Sequence, residues 1–218
     1  MKTKEIVIWL AVIAVLIGGL WLLISAVNAP TSPSAPTQIT NVPPVSKTDF
    51  AEGNPKAKVT LIEYADFQCP ACASTHAVIK QLQADFKNNL RLVYRFFPLT
   101  NIHQNALISA QAAYAASLQG KFWEMSDILY ENQDSWSDST QAQTMFVDYA
   151  KKLGLNLNKF NADIKNGSTI KFITDEQNDG LNLGINGTPT IFMNGKEIQN
   201  PASYQDFKKL IQDEINKN

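Results

Sequence analysis

The only two cysteines of this chain stand three positions apart, as Cys69-Pro70-Ala71-Cys72, where an apolar β-rich run gives way to a helical pattern. Two thiols cannot build a disulfide-stapled scaffold or a four-cysteine zinc site, so the fold must rest on a hydrophobic core. A hydrophobic content of 44% with 18% charged residues is sufficient for one, and excludes a chain disordered throughout. The net charge of −1 argues against a nucleic-acid binder driven by phosphate neutralisation. Two histidines leave few ways to assemble a metal site or a His-based triad.

Around the cysteines the periodicities change in a fixed order. Lys58–Ala65 is apolar and rich in strand formers, and predicts a buried strand. Pro70 suits the first turn of a helix, where its missing amide costs nothing. Ile79, Leu82 and Phe86 continue that helix at helical spacing, and Asn88-Asn89 predicts its end. Leu90–Phe97 alternates and predicts a second strand, parallel to the first. From about residue 102 to 183 helix formers dominate and no strand is evident. Strand signals return at Thr190–Met193, a hairpin turn at Asn194-Gly195, and Lys196–Ile198. An amphipathic helix with Tyr204, Phe207, Leu210, Ile211 and Ile215 on one face closes the chain. The expected fold class is α/β: a mixed central sheet in the order βαβ–ββα, interrupted by a helical insertion.

The amino terminus predicts a membrane attachment. Ile6–Val27 is 22 residues without a charge, spanning about 33 Å as a helix, close to bilayer thickness. Lys2 and Lys4 precede it and no charge follows until Lys47, which places residues 1–5 in the cytoplasm and the rest outside. Residues 6–27 are thus expected to be a transmembrane anchor or uncleaved signal. The alternative is cleavage near Val27-Asn28-Ala29, against which the apolar run is long for a signal peptide. Either way the domain is exported to a compartment where disulfides persist. Residues 28–48, with five of the ten prolines, predict a semi-rigid spacer, and residues 49–218 the folded domain.

A thiol at a helix start is favoured as thiolate by unpaired amides and the macrodipole, and one turn brings the second sulfur within reach. That arrangement permits thiolate attack on a disulfide and resolution by the neighbour. The competing reading, a structural disulfide, closes a loop of only four residues and gains about 2 kcal/mol before strain. Glu63, inside an apolar strand, is either a functional buried acid or a strand-end acid reaching solvent. Asp66 is expected to be a turn residue. His76 could share a helical face with both cysteines, but reads more simply as a helix-surface histidine. His103 reads as a helix-start residue with a local hydrogen bond. Phe67, Trp123, Trp136 and Tyr149 read as core or subdomain-interface aromatics.

The segment Glu63-Tyr64-Ala65-Asp66-Phe67-Gln68-Cys69-Pro70-Ala71-Cys72 resembles the active-site segment of the DsbA-like branch of the thioredoxin superfamily. Gly187-Thr188-Pro189-Thr190 resembles that branch's cis-proline loop, and Gln119-Gly120-Lys121-Phe122-Trp123-Glu124 part of its helical insertion. The resemblance spans roughly residues 49–218. It implies a thioredoxin-like fold and an exported protein thiol–disulfide oxidoreductase. Cys69 would be the nucleophile, Cys72 the resolving thiol, and Glu63 a proton carrier. Pro70, Ala71, Thr188 and Pro189 would form the substrate-binding surface. The resemblance calls for no cofactor and no metal. The implied partners are exported proteins with thiols or disulfides, and a membrane redox protein that resets the pair. A monomer is expected, because the spacer shows no dimerisation module. Oxidation of substrates is favoured by the overall layout, while reduction or isomerisation remains the alternative. A copper(I) metallochaperone using Cys69, Cys72 and His76 is the alternative from another class.

Overall fold

The chain is described here by a computed structural model covering residues 4, 9, 12–21, 39 and 42–217. Residues 1–37 and 38–218 form separate units. Residues 12–21 are helical (α1). Among the described residues no helix is long and apolar enough to cross a membrane. Much of the expected span over 6–27 and most of the expected spacer over 28–48 lie outside the described residues.

In the second unit, strand β2 (Val59–Ala65) sits at the centre of a five-stranded sheet ordered β1-β3-β2-β4-β5. It is buried along nearly its whole length because neighbours cover both of its faces, which is why its sequence is apolar rather than alternating. It pairs in parallel with β3 (Leu90–Phe96), from Val59↔Leu90 to Ala65↔Phe96. On its other side it pairs antiparallel with β4 (Thr190–Met193), which turns at Asn194-Gly195 into β5 (Lys196–Ile198). Asn194 has φ 48° and Gly195 φ 84°, as a tight hairpin requires. Helix α2 (Pro70–Phe86) connects β2 to β3 and buries Ile79, Leu82 and Phe86. A 3-10 turn over Lys87–Asn89 ends it.

Between β3 and β4 the insertion is wholly helical: α3 (Ala106–Ser117), α4 (Phe122–Glu131), α5 (Gln133–Trp136), α6 (Ala142–Lys152), α7 (Leu157–Ile164) and α8 (Gly167–Asn182). Asn156 and Asn166 cap the last two by accepting from the backbone amides of Lys159 and Ser168. Helix α9 (Tyr204–Lys217) closes the fold, burying Phe207 and Ile211. The expected βαβ–insertion–ββα order is therefore present.

Two features depart from the sequence reading. An additional edge strand, β1 (Phe50–Gly53), pairs antiparallel with β3. Its four residues carry little strand signal; it is held by Phe50, stacked on Phe122 at 4.0 Å between centroids. Arg95, which the alternation of β3 would send to solvent, is instead buried. Its guanidinium donates to both Asp49 carboxylate oxygens, the Tyr64 hydroxyl and the carbonyls of Pro43 and Pro44. Ile39, Val42 and Val45 pack beside Ile62, Phe97 and Phe192. The end of the expected spacer is thus fastened to the domain by a buried cation that needs its oxygens.

Gly180 marks the tightest seam between the insertion and the sheet. A Cβ there would stand 2.8 Å from two atoms of the Phe97 ring and 3.2 Å from the Tyr64 ring. Both rings are fully buried and cannot swing aside. Gly180→Ala is expected to cost about 1–2 kcal/mol, overpacking outweighing the gain in helix propensity. A thermal midpoint lowered by several degrees would register this; an unchanged midpoint would mean the seam can open.

Candidate active site

The carboxyl ends of β2 and β3 deliver the site. As the chain leaves β2, Asp66 turns it: its carbonyl accepts from the Cys69 amide and its Oδ1 from the Gln68 amide at 2.8 Å. Its Oδ2 accepts from the Leu99 amide at 2.9 Å and is 2.7 Å from His103 Nδ1. Asp66 is therefore the turn residue expected, but a fully buried one. His103 stands just before α3 and its amide donates locally to the Leu99 carbonyl at 2.9 Å, while its side chain reaches Asp66.

Cys69 is the N-cap residue of α2, with extended backbone, and Pro70 takes the first helical position. Pro70 and Ala71 are exposed. Both cysteines are largely buried, Cys69 at 7% exposed and Cys72 at 0%, so only the first keeps a small opening to solvent. Both are free thiols. The Thr188–Pro189 bond is cis. Cys69 Sγ lies 3.4 Å from the Thr188 carbonyl oxygen, to which the thiol donates. The Thr188 hydroxyl is buried and has no hydrogen-bond partner; its closeness to the sulfur helps to lower the Cys69 pKa. The sequence positions 69, 72, 188 and 189 thus converge.

Electrostatics separate the two thiols. A hydrogen bond from Cys72, outweighing the cost of burial together with the Thr188 hydroxyl and the backbone amides of Cys72 and Ala71, brings Cys69 from 9.0 down to about 5. Burial, its bond to Cys69 and the nearby Glu63 push Cys72 well above its ordinary value. Glu63 is 3% exposed, opposite Tyr94 and Ile191 in the sheet, and its Oε1 has no hydrogen-bond partner. Burial, with the Cys69 thiolate second, raises it to about 8. Glu63 is therefore a buried acid and does not reach solvent.

His76 is not on the helix surface. It is buried, its Nε2 is 2.9 Å from Asp127 Oδ1, and its ring lies against Tyr130. Among the described residues no group of three or more His, Cys, Asp and Glu side chains is arranged to hold a metal. Phe67 is packed between Tyr94 and Tyr130, and Trp136 is fully buried, as core aromatics.

Beside the site, Ser74, Thr75, Val78, Ile191, Pro201 and Phe207 line a groove of about 150 Å³. Asn200, also on its wall, donates to the Pro189 carbonyl at 2.7 Å. The pairing of Asn200-Pro201 allows a cap for the last helix, but that helix starts only at Tyr204 and Asn200 serves the Pro189 loop instead. Gln133, whose side chain reaches the Cys69 carbonyl at 3.0 Å, carries no local sequence signal.

A low-pKa thiol beside a more deeply buried high-pKa one, on a strand-to-helix turn facing a Thr-Pro loop, defines a thioredoxin-type dithiol centre. The Thioredoxin family profile matches residues 45–213, and the chain belongs to that family. Among solved structures it resembles Wolbachia pipientis alpha-DsbA1, with TM-score 0.71, 22% identity, and 79% of this chain and 94% of that one covered. It also resembles a thioredoxin-like oxidoreductase from Silicibacter pomeroyi DSS-3, with TM-score 0.63, 26% identity, and 79% and 92% covered. Among curated proteins it is 35% identical over 175 residues to Na(+)/H(+) antiporter NhaA 1 of Mycolicibacterium gilvum. That match covers 78% of this chain and 27% of the antiporter, so the chain spans about a quarter of such relatives' length.

Proposed function

We propose that this chain is a protein thiol–disulfide oxidoreductase that introduces disulfides into exported proteins. The observation that carries the reading is Cys69 at the start of the helix, 3.4 Å from the Thr188 carbonyl of the cis Thr188–Pro189 loop and less buried than Cys72, with its pKa lowered to about 5. In the oxidised enzyme a substrate thiolate attacks Cys69. The Cys69–Cys72 bond breaks, and Cys72 leaves and takes a proton, for which protonated Glu63 is the nearby source. A second substrate thiolate then attacks its own mixed disulfide. The substrate disulfide forms and Cys69 leaves as thiolate with the electron pair. A low-pKa leaving group favours this direction, since stabilising the thiolate stabilises the reduced enzyme. An acceptor of two electrons must then reset the pair. A membrane redox partner fits this role, with the domain held outside by the apolar segment 6–27. The groove beside Pro189 suits an extended peptide, and a monomer suffices.

The test is the potential of the Cys69–Cys72 pair in glutathione buffers, with an assay on a reduced, unfolded thiol protein. A potential closer to about −120 mV than to −270 mV is expected, with substrate oxidised stoichiometrically in a single turnover. A potential near −270 mV without substrate oxidation would reverse the direction to reductase. Protease accessibility on intact cells tests the location: residues 49–218 are expected to be digested from outside.

A further inference from the structure

We propose that Gln133, supplied by the helical insertion, is a positioning residue that holds the Cys69 turn in the geometry its sulfur needs; this rests on the exchange function above. Gln133 opens the short helix α5 and turns its side chain inward, leaving 7% exposed. Its carboxamide nitrogen donates to the Phe67 carbonyl at 2.7 Å and to the Cys69 carbonyl at 3.0 Å. Both hydrogens of one amide are thereby committed to alternate carbonyls of the active turn. The Cys69 carbonyl also accepts from the Ala73 amide at 3.1 Å, the opening bond of α2. Gln133 therefore ties the helix start itself to the insertion.

A second strut fixes the residue between those carbonyls. Gln68 Oε1 accepts from the Asn105 amide at 2.6 Å, and its Nε2 donates to the Ser137 carbonyl at 2.8 Å. The base of both struts is rigid. Trp136 is fully buried, with its indole donating to the Leu129 carbonyl at 2.8 Å. Gln133 touches carbonyls and not the sulfur, so it acts through the backbone. The Ala71 and Cys72 amides that hold the thiolate belong to the turn it pins. Hydrogen bonds weaken steeply as angles open, so a loosened turn loses those donors first. The insertion, far from the cysteines in sequence, thereby sets how readily Cys69 ionises.

The test titrates thiolate absorbance in the reduced full-length protein, beside thermal melts and exchange kinetics. Gln133→Met keeps volume and removes both donors. Its Cys69 midpoint is expected to rise by roughly 0.5–1 pH unit, which at pH 5 lowers the thiolate fraction, and with it attack on a small disulfide, by at most about 2–5-fold. KM for a protein substrate should stay unchanged, whereas a merely structural role would move the melt alone. Gln133→Glu keeps the shape and, buried against two carbonyl oxygens, stays protonated with one donor in place of two, so its midpoint is expected to rise by less than that of Gln133→Met. If Gln133→Met does not fold, Gln133→Glu carries the test. Folded variants that titrate as the wild type does would overturn the role of Gln133. A wild type that titrates low yet exchanges no protein disulfides would instead overturn the proposed function, while the variants' titration still decides the positioning role.

Discussion

Cys69→Ser is expected to lower disulfide exchange by at least about a thousandfold, to the uncatalysed level. The hydroxyl that replaces the thiol neither forms the disulfide nor leaves as a stable anion, and Cys72 cannot substitute for it. Cys72 is wholly buried and its thiol is held protonated by burial, by Cys69 and by Glu63. The companion variant Cys72→Ala should behave differently. Its Cys69 thiol still attacks a substrate disulfide, but no resolving sulfur follows, so a covalent mixed disulfide accumulates to about one equivalent. Mass spectrometry of the non-reduced protein measures both outcomes. Equal activity in Cys69→Ser and the wild type would remove the catalytic reading altogether, leaving a binding module on a redox fold.

The same thiol sets a pH dependence of stability. Cys69 ionises at about 5 in the folded reduced protein, against 9.0 as its ordinary value. A depressed pKa contributes stability that is complete above the ordinary value and lost as pH falls through the folded one. The reduced protein should therefore gain over the oxidised one as pH rises from 5 towards 9. Below pH 5 that advantage disappears. Denaturant unfolding of both redox forms across this range gives the comparison.

What could be read from the chain and what could not divides by distance along it. Cys69, Cys72 and Pro70 announce themselves because the strand, turn and helix start that position them are contiguous. Glu63 is legible for a related reason: a carboxyl inside an apolar strand is conspicuous whatever the rest of the chain does. Thr188 and Pro189 lie far from the cysteines in sequence, and only the resemblance joined them to the site before the structure did. Arg95 shows the limit of periodicity. Alternation in β3 sends it outwards, but β3 is covered on both faces, and the cover includes a segment that reads as spacer. His76, His103 and Gln133 fail for one common reason. Each is defined by a partner from another element: Asp127, Asp66, and the carbonyls of Phe67 and Cys69. A single polar residue on a helix carries no mark of the acceptor it will meet.

Glu63 yields the second large effect, and it has opposite signs for stability and for catalysis. Its folded value of about 8 stands above the ordinary 4.5. Between these values the unfolded chain has released the proton that the folded chain retains. Stability therefore falls with rising pH across this window, by about 1.4 kcal/mol for each pH unit. From the 4.5 and about 8 of this group the penalty reaches at most about 5 kcal/mol. Glu63→Leu removes it. The variant is expected to be more stable than the wild type by up to about 4 kcal/mol at pH 8, with the difference vanishing near pH 4. Turnover should move the other way. Cys72 is wholly buried, and with Glu63 as its proposed proton carrier exchange at pH 7 is expected to slow roughly 10–100-fold. The inflection near pH 8 in the rate profile should vanish with it. Glu63→Gln separates the two roles, because the amide keeps the shape and stays neutral but carries no exchangeable acid proton: it should lose the rate and keep the flat stability profile. Should Glu63→Leu instead be less stable at pH 8 with an unaltered rate profile, the carboxylate must be reaching water or a cation, and the dithiol would have to exchange protons by another route.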